Sequence, residues 1–214
     1  MSKIIPVINT KTVTKLKEEC RLLKDFKGIF QIDIADGRFT SWKTWNAPQE
    51  LKKIKKIENR FELHLMIENP EQFLPYWLET RPQRIIIHEE MINDWQQIQS
   101  FFAGKKVELA LALNPYSSSE KMDPYLKQIN FVTFLSVEPG PSGQGFKWFV
   151  LEKIKKFKLD HPNIQLEIDG GVNEKNIEEV KKTNVDFIAL GSAIFNYPHP
   201  LERIKYWQKV VAQK

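Results

Sequence analysis

The chain has 214 residues, 42% of them hydrophobic and 12% aromatic, a formal net charge of +5 at pH 7 and one cysteine. That length and apolar share suffice for one α/β barrel, with residues 1–214 forming a single domain. The lone Cys20 excludes an internal disulfide framework and points to a cytoplasmic setting, and the absence of any apolar run long enough to cross a bilayer excludes a membrane partner. The excess charge is lysine spaced through amphipathic segments such as 51–57 and 151–157, the pattern of a solvated helix face. No zinc-finger spacing, RNA-recognition signature or aromatic and basic stripe points to nucleic acid.

In chain order, short β-branched runs at 4–5, 29–34, 61–65, 84–87, 107–111, 131–135, 164–168 and 187–190 predict strands. Segments with helical apolar spacing follow them at 13–26, 49–57, 70–79, 92–102, a short one at 118–125, then 148–159, 174–182 and 200–211. Eight such pairs predict a (β/α)8 TIM barrel, with a doubly wound open sheet as the competing arrangement. Pro70, after Asn69, stands at the first turn of the third helix, and the run from Asn173 to Asn176 caps the seventh.

Asp33 ends the second apolar run and Asp169 the seventh, where a buried strand gives way to a polar mouth. Three steps apart on a ring of eight, they project from nearly opposite sides and can flank a small substrate as an acid and base pair. His64, at the end of the third run, stands beside Asp33; an imidazole with two carboxylates is a ligand set for a divalent metal. Each residue taken alone has an ordinary structural reading, Asp as a helix cap and His as a hydrogen-bonded core residue. Their joint placement is what favours chemistry.

The ends of strands seven and eight carry small residues, Gly170 and Gly171, then Gly191 and Ser192. Glycines there let backbone N–H groups approach a phosphate near a helix N-terminus. A third glycine-rich segment, 138–146, follows strand six with the composition of a lid.

Six segments carry a resemblance: Ile32-Asp-Ile-Ala-Asp-Gly-Arg-Phe39, Glu62-Leu-His-Leu-Met-Ile-Glu-Asn-Pro-Glu71, Leu113-Asn-Pro115, Ser136-Val-Glu-Pro-Gly140, Glu167-Ile-Asp-Gly-Gly-Val172 and Ala189-Leu-Gly-Ser-Ala-Ile-Phe195. In order and spacing they resemble the ribulose-phosphate 3-epimerase family over essentially the whole chain. The resemblance implies an isomerase of carbohydrate metabolism, in the pentose phosphate pathway, that interconverts ribulose 5-phosphate and xylulose 5-phosphate by moving the proton on carbon 3. It implies Asp33 and Asp169 as the catalytic pair, and Asp33, His64 and Asp169 as ligands of a divalent metal, commonly zinc. His64, Gly140, Pro141, Ser142, Gly143, Gly170, Gly171, Gly191 and Ser192 would then hold the substrate and its phosphate. A homo-oligomer is left open.

Four departures fall at the mouth. Gln31 stands where the family has histidine, and its amide oxygen is a weaker donor to zinc, so the resemblance with this change predicts a looser site or one holding magnesium or manganese. Val7 replaces a serine, Ala35 a methionine, and the lid reads Gly-Pro-Ser-Gly in place of Gly-Phe-Gly-Gly. Three readings follow: a phosphopentulose epimerase with an altered metal site, an enzyme on a related sugar phosphate whose pocket Val7, Ala35, Trp42 and Trp45 reshape, and a phosphosugar-binding barrel without catalysis. The retention of both aspartates speaks against the last.

Overall fold

The computed structural model describes residues 2–54, 57 and 60–213. Eight parallel strands run in chain order around a closed ring: β1 (Lys3–Ile8), β2 (Phe30–Ala35), β3 (Phe61–Met66), β4 (Arg84–His88), β5 (Glu108–Leu113), β6 (Phe131–Leu135), β7 (Gln165–Asp169) and β8 (Phe187–Leu190). Pairing of β8 with β1, from Lys3↔Phe187 to Pro6↔Leu190, closes it. The helices are α1 (Val13–Leu22), α2 (Pro48–Leu51), α3 (Pro70–Leu78), α4 (Trp95–Phe102), α5 (Val150–Asp160), α6 (Ile177–Lys181), α7 (Ser192–Phe195) and α8 (Pro200–Ala212). The fold is a (β/α)8 TIM barrel, as the alternation of runs predicts.

Several local expectations change. The segment 118–125 forms only a 3-10 turn, Ser119–Met122, so β5 and β6 have no α-helix between them. Of the helix expected at 49–57, only α2 is present, and Lys55 and Lys56 lie outside the described residues. The short helix α7 went unpredicted because four residues are too few for a helical period to show.

The two-residue period of the strands sorts the core into two parts. Outward residues such as Ile32, Ile34, Leu63, Leu65, Ile85 and Ile87 pack against Leu16, Leu74, Ile98, Ile154 and Trp207 of the helices. Inward residues Ile5, Ile86, Ala110, Ala112, Phe131, Leu135 and Phe187 fill the barrel itself. Each large side chain buried this way contributes roughly 1.5–3 kcal/mol.

The floor of the barrel is charged. The Arg84 guanidinium donates to Glu62 at 2.7 Å and to Glu108 at 2.8 Å, and lies 3.4 Å from the centre of the Phe131 ring. Glu167 accepts from the Thr133 hydroxyl at 3.0 Å. One oxygen of Glu62 and one of Glu167 are buried without a partner. Burial pushes Glu62 up to about 7 against the pull of Arg84. Burial, together with the negative charges of Glu62 and Asp169, raises Glu167 well above the carboxylate range. His64 follows Glu62 on β3 and Asp169 follows Glu167 on β7 on the same inward faces, so this floor lies one layer beneath the mouth.

Candidate active site

Asp33 and His64 face each other across the β2 and β3 pairing, and Asp169 is the last residue of β7. Asp33 and His64 lie inside their strands, each two residues before the end, and not at the very ends as the apolar runs suggest. The three side chains converge all the same: their ligand atoms lie within 4.8 Å of one another.

Between them sits the amide of Gln31, which is fully buried. Its Nε2 donates to Asp33 Oδ1 and to Asp169 Oδ2, both at 2.8 Å, and is 3.4 Å from His64 Nδ1. Both amide hydrogens are thereby used, while Oε1 is buried with no partner. Turned over, the amide would aim its oxygen at two carboxylates, which is unfavourable unless a cation lies between them. The donor set therefore fits a divalent ion: two carboxylates, one imidazole nitrogen, and an amide oxygen that has no other partner.

Burial alone would favour a neutral His64, but its contacts with Asp169 and Asp33, 3.4 Å from each carboxylate, outweigh this and push the imidazole up to about 10. The other ring nitrogen, Nε2, is 2.9 Å from Nε2 of His88, which closes β4. Burial holds His88 down to about 4, so it is neutral and accepts from His64. His88 Nδ1 then donates to Glu90 at 3.3 Å. Burial would raise Glu90, but bonds from His88, the Ser117 hydroxyl and the Asn114 N–H hold it down to about 2. The result is a directed line from Glu90 through His88 to His64, which leaves His64 Nδ1 aimed at the carboxylates.

A cavity opens above this cluster. His64, Gly140, Pro141, Ser142, Gly143, Gly170, Gly171, Gly191 and Ser192 all line it, together with Asp33 and Asp169. Gly170 has φ +107°, and a Cβ there would come within 2.3 Å of Val137, so the turn after β7 requires glycine. The N-terminal N–H groups of α7 have no intrahelical acceptor. The Arg203 guanidinium and the Trp207 indole both donate to the Ala193 carbonyl, which fixes α7 at the rim.

Two groups of contributors were missed in the sequence. Asn9 lines the cavity and donates to Asp33; its signal is the alternation Ile5, Val7, Asn9, which carries the inward face of β1 to the mouth. His88 and Glu90 have a similar signal, a histidine closing the apolar run Ile85-Ile86-Ile87. Conversely, Trp45 lies away from the cavity: it packs edge-on against Trp77 and donates to Glu50. Ala35 is fully buried and does not line the cavity either.

The model of the ribulose-phosphate 3-epimerase family matches residues 3–195. The chain belongs to the ribulose-phosphate 3-epimerase family. It is 32% identical over 172 residues to ribulose-phosphate 3-epimerase of Helicobacter pylori strain J99, covering 78% of this chain and 79% of the relative. It is 28% identical to the cytoplasmic isoform of that enzyme from Oryza sativa subsp. japonica, over 98% and 94% of the two chains. Among solved structures, 3-hexulose-6-phosphate synthase from Salmonella typhimurium superposes with a TM-score of 0.71 over 99% of both chains at 11% identity, which speaks to fold alone. Membership makes this chain an isomerase of the epimerase type. Gln31 bridges the two carboxylates directly, and Val7 forms an apolar part of the cavity wall. No helix among the described residues is long and apolar enough to cross a membrane.

Proposed function

We propose that the chain interconverts ribulose 5-phosphate and xylulose 5-phosphate, with Asp33 and Asp169 exchanging a proton with opposite faces of carbon 3. The observation that carries this is the convergence of two carboxylates from β2 and β7 on one cavity, bridged by a single amide at 2.8 Å to each.

One carboxylate removes the C3 proton, and the C–H electron pair passes into an enediolate as the C2 carbonyl oxygen becomes negative. The other carboxylate returns a proton to the opposite face, the carbonyl re-forms, and the configuration at C3 is inverted. Asp33, His64, Asp169 and a turned-over Gln31 oxygen would hold a divalent ion, zinc or a harder ion such as magnesium or manganese. Such an ion, when bound, stabilises negative charge on the substrate oxygens and lets carboxylates act as bases near neutral pH. His88 and Glu90 keep His64 Nδ1 directed at the carboxylates. The first turn of α7 and the Gly170–Gly171 turn offer backbone N–H groups to the phosphate, and the 140–143 lid excludes water. Residues 1–214 act as one domain in the cytoplasm under this reading.

The test is a coupled assay for xylulose 5-phosphate formed from ribulose 5-phosphate, run on protein as purified, after chelation, and after return of zinc or manganese. Turnover that falls on chelation and returns with either ion is the expected result. Absence of turnover under all three conditions would reject this substrate pair.

A further inference from the structure

We infer that Asn9 is a positioning residue that couples closure of the lid to the carboxylate of Asp33. The inference rests on the assignment of Asp33 as a proton-exchanging group, and goes beyond it by naming what holds that group in place.

Every polar position of the Asn9 amide is occupied. Nδ2 donates to Asp33 Oδ2 at 2.8 Å and to the Gly140 carbonyl of the lid at 3.0 Å, while Oδ1 accepts from the Trp42 indole at 2.9 Å. The lid is tied down beside it, because the Thr40 hydroxyl donates to the Pro139 carbonyl at 2.8 Å. The Lys11 ammonium lies 3.9 Å from the centre of the Trp42 ring and braces the indole from outside. Gly140 has φ +143°, and a Cβ there would meet Thr40 Oγ1 at 2.9 Å, so only glycine brings the lid backbone this close.

The consequence is a one-sided coupling. Asp33 Oδ1 is held by Gln31 whatever the lid does, but Asp33 Oδ2 is held by an amide whose other acceptor is the lid. When the lid lifts, Gly140 withdraws its carbonyl, and the Asn9 amide loses the contact that fixes its plane. Closed over substrate, the lid restores that plane and with it the donor on Asp33. Asn9 makes no hydrogen bond to Asp169 among the described contacts. Coupling between two sites is reciprocal, so loss of the Asp33 carboxylate should in turn loosen the lid.

The experiment measures hydrogen–deuterium exchange of the 137–145 amides in the substrate-free full chain, for wild type, Asn9→Leu, Asn9→Asp, Thr40→Val, Asp33→Ala and Asp169→Ala. It also measures C3 proton exchange starting separately from each epimer. Asn9→Asp keeps the shape and the Trp42 contact but cannot donate, so it stands in if the leucine variant fails to fold. Lid exchange should rise about fivefold or more, the factor one lost hydrogen bond supplies, in both Asn9 variants, Thr40→Val and Asp33→Ala, and stay at the wild-type rate in Asp169→Ala. Asn9 variants should also slow C3 exchange from one epimer more than from the other. Thr40→Val, which loosens the lid without touching Asp33, should raise KM and, at saturating substrate where the lid is closed, leave that ratio alone. Wild-type lid protection in Asn9→Asp or Asp33→Ala, or an unchanged ratio in an active Asn9 variant, would overturn the coupling. If the wild type exchanges no C3 proton, the two-carboxylate assignment fails, and lid protection in Asp33→Ala still decides whether Asn9 joins the two.

Discussion

The side-chain nitrogen of Gln31 donates to Asp169 from across the barrel at 2.8 Å, the same distance at which it donates to Asp33 two residues along its own strand. One neutral amide thus occupies the place between two carboxylates and an imidazole where a cation would sit. It stabilises the site without metal and must give up both hydrogen bonds before its oxygen can serve as a ligand.

Gln31→His should therefore raise metal occupancy, measured by elemental analysis after dialysis against a weak chelator, because an imidazole is a better zinc donor and no amide bridge has to break. Epimerase turnover should rise with occupancy. A variant fully loaded with zinc that gains nothing on ribulose 5-phosphate would point to a related sugar phosphate as substrate. Chelator-resistant, stoichiometric zinc in the wild type would contradict the weakening ascribed to Gln31.

His88→Ala should lower metal affinity about 10- to 100-fold, the usual effect of losing a group that orients a ligating imidazole. Isothermal titration with manganese reads this directly. Circular dichroism of the variant checks that the fold persists. Wild-type affinity in the variant would remove His88 from the chain that aims His64.

How much of this was legible in the sequence follows from periodicity. The eight strands are buried runs with a two-residue alternation, so their order and the inward positions of Asp33, His64 and Asp169 could be read directly. Strand ends could not: apolar residues continue past Asp33 to Ala35 and past His64 to Met66, so the runs carry no mark where pairing stops. Asn9 and His88 escaped notice because each has an ordinary reading in isolation. Their roles depend on Gly140 and His64, contacts made with distant parts of the chain that no local pattern encodes. Trp45 erred the other way, its proximity in sequence to Trp42 suggesting the mouth when it packs behind α2 and α3.

Glu167→Gln should stabilise the protein above neutral pH. A carboxyl whose folded pKa is raised contributes stability below its ordinary 4.5 that is lost as pH climbs through the folded value. The uncharged amide is spared that loss. Thermal melts should agree at pH 5 and differ at pH 8, with the variant higher by about 3 °C or more, the shift expected for about 1 kcal/mol in a domain of this size. A variant less stable than wild type at pH 8 would mean the Glu167 charge is compensated on the barrel floor.

Gly191→Val should weaken phosphate binding with little effect on folding. A Cβ at this position would stand 3.6 Å from Ser142 and from the Val7 carbonyl, in ordinary contact on the cavity wall, and the added methyls would take up space beside it. Calorimetric titration with ribulose 5-phosphate should show at least about a tenfold loss. Unchanged affinity would move the phosphate away from the first turn of α7.

The most direct measurement of the two-carboxylate account is deuterium wash-in at carbon 3, followed by proton NMR in heavy water, with Asp169→Asn and wild type compared from each epimer. An amide cannot relay the proton. Wild type should incorporate deuterium from both ribulose 5-phosphate and xylulose 5-phosphate and interconvert them. Asp169→Asn should keep incorporation from the epimer whose C3 proton faces Asp33, lose it from the other, and interconvert neither. Wild-type interconversion by Asp169→Asn, or equal wash-in from both epimers, would contradict the assignment of Asp33 and Asp169 to opposite faces of carbon 3.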